Sequence, residues 1–230
     1  DANVGHGVVV GLGGKPNRQY ASELCERGFV TIAPSYPLLA HYQPDIDALG
    51  YQSGTMKAIW DNRRALDVLE SLPFVQPGRF GAIGHSLGGH NAVYTAVFEP
   101  RIQTVISSCG LDSFLDYYGG NPAVWKTEKG WCQKRYMPGL LSFADDLRKI
   151  PFDFHELIGA LAPRNVLISA PLHDSNFRWE SVDRIQEAAS AVYRLLGKPA
   201  ALRVVHPDAP HDFPDATREE AYQLLKDTLR

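Results

Sequence analysis

What most constrains this chain is a rhythm: short apolar runs, rich in β-branched residues, alternate with helical stretches of ten or more residues. The strand-like runs are 29–33, 79–84, 101–108, 165–170 and 202–206. Between them the spacing predicts a first helix capped by Asn17, with Tyr20, Ala21, Leu24 and Cys25 on one face and Gly28 as its stop. A long helix over 53–72 follows, with Met56, Ile59, Trp60, Leu66 and Leu69 at helical spacing and Pro73 as its end. Further helices are expected over 87–98, over 180–196 up to Gly197, and after a cap at Asp215 or Thr217. Such alternation argues for a mostly parallel sheet covered by helices on both faces, an α/β fold. At 230 residues, with 44% hydrophobic content, the chain is expected to form one domain, 1–230, with an ample core. The interval 111–163 breaks the rhythm with Tyr117, Tyr118, Trp125, Trp131 and Tyr136 among Gly, Pro and charged residues. It is expected as an excursion over the carboxyl edge of the sheet, where such folds bind ligands.

Composition excludes several classes of function. A net charge of −3 leaves no basic footprint for nucleic acid or an anionic membrane. No apolar run reaches the ~20 residues of a membrane span, and no signal peptide is visible, so the cytoplasm is the favoured compartment. Cys25, Cys109 and Cys132 are odd in number and far apart, and no His/Asp/Glu cluster has metal-binding spacing. No disulfide, metal or cofactor is therefore expected. The oligomeric state is left open.

Gly84-His-Ser-Leu-Gly88-Gly89 stands between a strand and a helix. In that context G-x-S-x-G is a nucleophile elbow: the turn is so tight that its flanking positions must lack side chains, and the serine is pushed out above the sheet. Ser86 becomes the nucleophile candidate, and the Leu87 amide, at the start of the helix, a donor for a developing oxyanion. A serine hydroxyl needs a base, and the base an orienting carboxylate. On this scaffold they follow in the order Ser, acid, His, each past a strand end. Pro171-Leu-His-Asp174 follows one strand and Pro207-Asp-Ala-Pro-His211 the next, which makes Asp174 the acid candidate and His211 the base. Asp112, after the strand 101–108, is the rival acid. His85 and His90 flank the elbow, His173 adjoins the acid, and His206 falls within a strand. His85, His173, Trp131 and Tyr136 are the expected substrate-binding residues.

These residues, with the helix segment Met56-Lys-Ala-Ile-Trp-Asp-Asn-Arg-Arg-Ala65 and the segment Arg27-Gly-Phe-Val-Thr-Ile-Ala-Pro34, resemble serine hydrolases of the α/β-hydrolase superfamily. The similarity is to dienelactone-hydrolase-like and acetyl-xylan-esterase-like members, over nearly the whole chain. It implies a serine carboxylesterase working through an acyl-enzyme on a small-molecule ester. The alternatives are a prolyl-oligopeptidase-like peptidase and a non-catalytic binding protein on the same fold. Dienelactone hydrolase itself uses a cysteine nucleophile where this chain has Ser86. The His-Gly pair that often ends the oxyanion strand in the superfamily is also missing.

Val8-Val-Val-Gly-Leu-Gly-Gly-Lys-Pro-Asn17 poses a separate question. It fails the P-loop pattern, since Pro16 follows Lys15, and the dinucleotide pattern, which also meets Pro16. At face value 7–10 is a strand and 11–14 an oxyanion-donor loop. In the families this chain resembles, such a stretch lies further on, in an excursion after the oxyanion strand. With Asp1 in place of a methionine, the expectation is a fragment that lacks that strand and those before it. Its sheet would start at 29–33, with 8–14 a loop near the mouth of the site.

Overall fold

A computed structural model describes Asp1 and residues 3–229. They gather into two compact units, Asp1–Pro77 with Pro122–Asp145, and Gly78–Asn121 with Asp146–Arg230.

The second unit carries the sheet. Four strands, β1 (Phe80–His85), β2 (Ile102–Ser108), β3 (Asn165–Ser169) and β4 (Leu202–Val205), run parallel in the order β1-β2-β3-β4. Their centre reads as an unbroken apolar run because both faces are covered: Val105, Ile106, Val166 and Leu167 are wholly buried. Helices α3 (Leu87–Phe98), α4 (Phe154–Leu161) and α5 (Trp179–Leu195) make the crossovers. Each strand is added on the same side of the last, so right-handed crossovers put these three helices on one face. The final helix α6 (Asp215–Leu229) covers the other, where a Cβ on Gly81 would strike Leu225 and Leu229. Asp153 opens α4 with a capping box to Glu156 and also accepts hydrogen bonds from the Ser113 hydroxyl and the Phe114 amide, which ties the chain after β2 to this helix.

The first unit holds α1 (Tyr20–Glu26) and α2 (Gly54–Ser71), joined by turns and extended chain. Ser53 caps α2, its hydroxyl accepting from the Met56 amide at 3.1 Å. Ile59, Leu66 and Leu69 face the interior as expected, but Met56 and Trp60 are exposed and Lys57 is buried instead. Lys57 tolerates burial because it pairs with Asp61 and lies over the rings of Tyr42 and Tyr51. Trp60 is covered in turn by the Arg64 guanidinium, 4.6 Å from the ring centre.

Two further expectations are corrected here. The run 29–33 joins no strand, with Val30 and Ile32 44% and 41% exposed. β-branched residues favour extended backbone, but a strand also needs a ladder neighbour, and among the described residues the first unit has no strand to offer one. The sheet therefore starts at β1 and not at 29–33. The face-value strand at 7–10 is not formed, as expected: Gly5–Val10 winds into a 3₁₀ helix closed by Gly11 at φ 81°, and bends carry the chain on to Asn17. Finally, Asn17 does not cap α1; the helix starts later, after Gln19, because Asn17 stands at φ 60°. The last helix takes Asp215 as its first residue, with Pro214 before it.

Candidate active site

The carboxyl ends of β1, β2, β3 and β4 form one row. Register pairs His85 with Ser108, Ser108 with Ser169, and Ser169 with Val205. The next residues, Ser86, Cys109, Ala170 and His206, thus leave the sheet at the same level.

Ser86 sits on a strained turn, at φ 54° and ψ −118°, a backbone conformation that costs a non-glycine residue about 1–3 kcal/mol. Its surroundings enforce it. The Ser86 amide donates to the Ser108 carbonyl at 2.7 Å, while the Ser86 carbonyl accepts from the amides of Gly89 and His90, closing the first turn of α3. A side chain on Gly84 would run into the backbone of Gly88, and one on Gly89 would come within 2.8 Å of the Ser108 carbonyl. The amide of Leu87, first residue of α3, has no partner within its own helix, as at every helix start.

Asp174 and His211 meet from the loops after β3 and β4. His211 Nδ1 and Asp174 Oδ2 lie 2.8 Å apart. With a carboxylate as acceptor, Nδ1 carries the hydrogen and Nε2 is the basic nitrogen. The Asp174 side chain is wholly buried, and its other oxygen accepts from the amides of Asn176 at 2.7 Å and Phe177 at 3.2 Å. Burial works to raise its pKa, but the hydrogen bonds from His211 and these amides outweigh it and hold the carboxyl below its ordinary value. Phe177 stacks on the His211 ring at 5.9 Å between centres, fixing it from the other side.

Asp112 is also wholly buried, and there burial dominates. Contacts from Ser181 and the Arg178 backbone pull the other way, yet its pKa is pushed up to about 7. His206 is held between the Ala170 carbonyl and Asp183, a structural placement. His90 is buried against Tyr94, and burial lowers its pKa to about 3.

The expected binding residues divide. His85, beside Ser86, has its ring 4.8 Å from that of His211 and its Nδ1 3.1 Å from Ser108 Oγ. His173 is exposed and paired with Asp208 at 2.8 Å, at the entrance of the Asp174 loop. Trp131 and Tyr136 belong to the other unit, where their rings pack edge to face at 5.7 Å and Trp131 is buried. Two contributors escaped sequence reasoning. The Asn176 and Phe177 amides leave no mark in residue type.

The second unit thus presents a serine on a strained elbow and a buried acid paired with a partly exposed imidazole at one sheet edge. Residues 49–197, more than half of the chain, match the family model described as glucuronyl esterase, fungi. YtaP of Bacillus subtilis is 32% identical over 171 residues, covering 74% of this chain and 53% of that protein. The 4-O-methyl-glucuronoyl methylesterase 1 of Sodiomyces alcalophilus is 30% identical, covering 56% of this chain and 28% of its own length. This chain therefore spans about half, or less, of the length of these relatives. Among solved structures, a glucuronoyl esterase from Solibacter usitatus superposes with a TM-score of 0.68 at 20% identity, over 88% of this chain and 53% of that one. The Pyrococcus furiosus esterase Pf2001 gives 0.65 at 17% identity, over 93% of this chain and 77% of its own. The fold is that of the α/β-hydrolases, and the chain belongs to the glucuronyl esterase family.

Proposed function

We propose that this chain hydrolyses carboxylic esters through an acyl-enzyme, and that its substrates are alkyl or aryl esters of uronic acids. The observation that carries the chemistry is the pairing of a strained Ser86 with the Asp174–His211 couple on one edge of one sheet. The substrate class rests on the match to the glucuronyl esterase family and on the methylesterase relatives.

Ser86 Oγ attacks the ester carbonyl as His211 Nε2 takes its proton. Asp174, held anionic by its amide donors, keeps Nδ1–H oriented and stabilises the imidazolium. The Leu87 amide donates to the oxyanion. Collapse of the tetrahedral intermediate expels the alcohol, which takes its proton from His211. Water, deprotonated by the same nitrogen, then attacks the acyl-serine, and His211 gives that proton to Ser86 Oγ as the uronate leaves. The bond broken is an ester bond, so the products are one acid and one alcohol.

The test is hydrolysis of a methyl or benzyl ester of glucuronic acid, followed as acid release at constant pH, beside a p-nitrophenyl acetate control. Turnover of both by the native chain, and of neither by a folded Ser86→Ala variant, supports the proposal. Turnover of acetate esters alone would remove the uronate specificity. Equal turnover by Ser86→Ala would remove Ser86 from its role.

A further inference from the structure

We propose that His85, Cys109 and His211 form a site for a thiophilic divalent cation, zinc above all, and that its occupation shuts off the hydrolase. The inhibitory effect rests on the role of His211 proposed above; the binding itself does not.

One ligand atom from each of these residues lies within 4.8 Å of the others. Their convergence is built into the fold. His85 ends β1, Cys109 follows β2 at the same level, and His211 lies in the loop after β4. Cys109 is held at φ 50°, a left-handed conformation rare for a side chain of this type, and is buried. Its thiol donates to the Asp212 carbonyl at 3.2 Å, which fastens it to the backbone beside His211.

Two imidazoles and a thiol are the donor set zinc prefers, with Zn–N near 2.0–2.1 Å and Zn–S near 2.3 Å. Tetrahedral ligand atoms then stand roughly 3.5 Å apart, so the groups farthest apart need to close by up to about 1.3 Å. The second layer is already in place. His211 gives Nδ1–H to Asp174, the carboxylate–histidine arrangement that orients a metal-binding imidazole and raises its basicity. Nε2 is then the ligand nitrogen. His85 likewise has Nδ1 at Ser108 Oγ, leaving Nε2 for the ion.

On binding, Cys109 releases its thiol proton to solvent and its thiolate donates to the metal, as do the lone pairs of the two Nε2 atoms. The electron pair that His211 would use to accept the Ser86 proton is then committed to the ion, so acylation stops.

The test uses the whole chain freed of metal with a chelator. Zinc is titrated against p-nitrophenyl acetate hydrolysis, and cobalt(II) binding is followed by its thiolate charge-transfer absorption. The expected result is one ion per chain, inhibition reversed by chelator, and a thiolate-to-cobalt band. Cys109→Ala should keep the basal rate, lose the band, and need at least ~100-fold more zinc for half-inhibition. Cys109→Ser makes the same test if the alanine variant fails to fold, since a neutral hydroxyl is a poor zinc ligand. Equal zinc sensitivity of the folded variants, absence of the band in the native chain, or activation by zinc would each overturn the proposal. Cys109-dependent binding of one ion without esterase activity in the metal-free chain would uphold the site and sink the functional reading instead.

Discussion

Two loops leave the same sheet edge with an aspartate at nearly the same depth, one after β2 bearing Asp112 and one after β3 bearing Asp174. Both side chains are wholly buried, yet their charges differ in fate. Asp174 receives two backbone amides and an imidazole N–H, and its carboxyl is held below the ordinary range. At Asp112 burial prevails over the contacts from Ser181 and Arg178, and the pKa climbs to about 7. Burial alone does not make a catalytic acid. The number of donors that come with it decides whether the group is an anion able to steady a cation or a neutral acid.

The largest test of this contrast is kinetic. Asp174→Asn should lower kcat for p-nitrophenyl esters by about 10³–10⁴, on the scale of removing the orienting carboxylate from a serine protease triad. Asp112→Asn should change it less than tenfold. Steady-state rates for both variants, with circular dichroism to confirm folding, decide the matter. The reverse order would move the catalytic role to the loop after β2.

A second test reads stability against pH. Asp112 has a folded pKa raised from 3.8 to about 7, so above pH 4 the unfolded chain ionises it while the folded chain keeps the proton. Its contribution to stability therefore falls as pH rises from about 4 to 7, by a few kcal/mol. Asp112→Asn should remove this slope and leave the variant more stable than the native chain at pH 8. Urea titrations at pH 5 and pH 8 measure it. A native chain that gains stability relative to the variant across this interval would contradict the assignment.

The smallest effect lies on the acid side. Asp174, with its pKa depressed, adds stability that is complete above its unfolded pKa and is lost as pH falls through the folded one. Asp174→Asn should flatten the profile below pH 4, by about 1 kcal/mol for each unit of depression removed. Urea titrations between pH 2 and pH 5 measure it, and an unchanged acid limb in the variant would remove the amide donors from the explanation.

Sequence reading did best where structure is decided locally. Apart from α4, which lies inside the interval 111–163 read as an excursion, the strands and helices of the second unit fall within a residue or two of their expected ends, since Gly and Pro punctuate them and the apolar period of each is unambiguous. The order Ser86, Asp174, His211 was legible because each follows a strand. The first unit was less so. The run 29–33 has the composition of a strand, but pairing is a property of a neighbour, and Met56 and Trp60 have helical spacing but face outward. The meeting of His85, Cys109 and His211 was hidden too, because it depends on strand register across more than a hundred residues and not on any local spacing. What separates Asp112 from Asp174 was equally out of reach, for backbone amides carry no sequence signature.

The proposed role of Ser86, a nucleophile driven by His211 and Asp174, is tested most directly by active-site labelling. The native chain is incubated with a fluorophosphonate, and the adduct is located by mass spectrometry of its peptides. We predict one adduct per chain, on Ser86, formed far more slowly in His211→Ala and Asp174→Asn and at a nearly native rate in Asp112→Asn. An unlabelled native chain, an adduct on another residue, or a rate indifferent to Asp174 would contradict it.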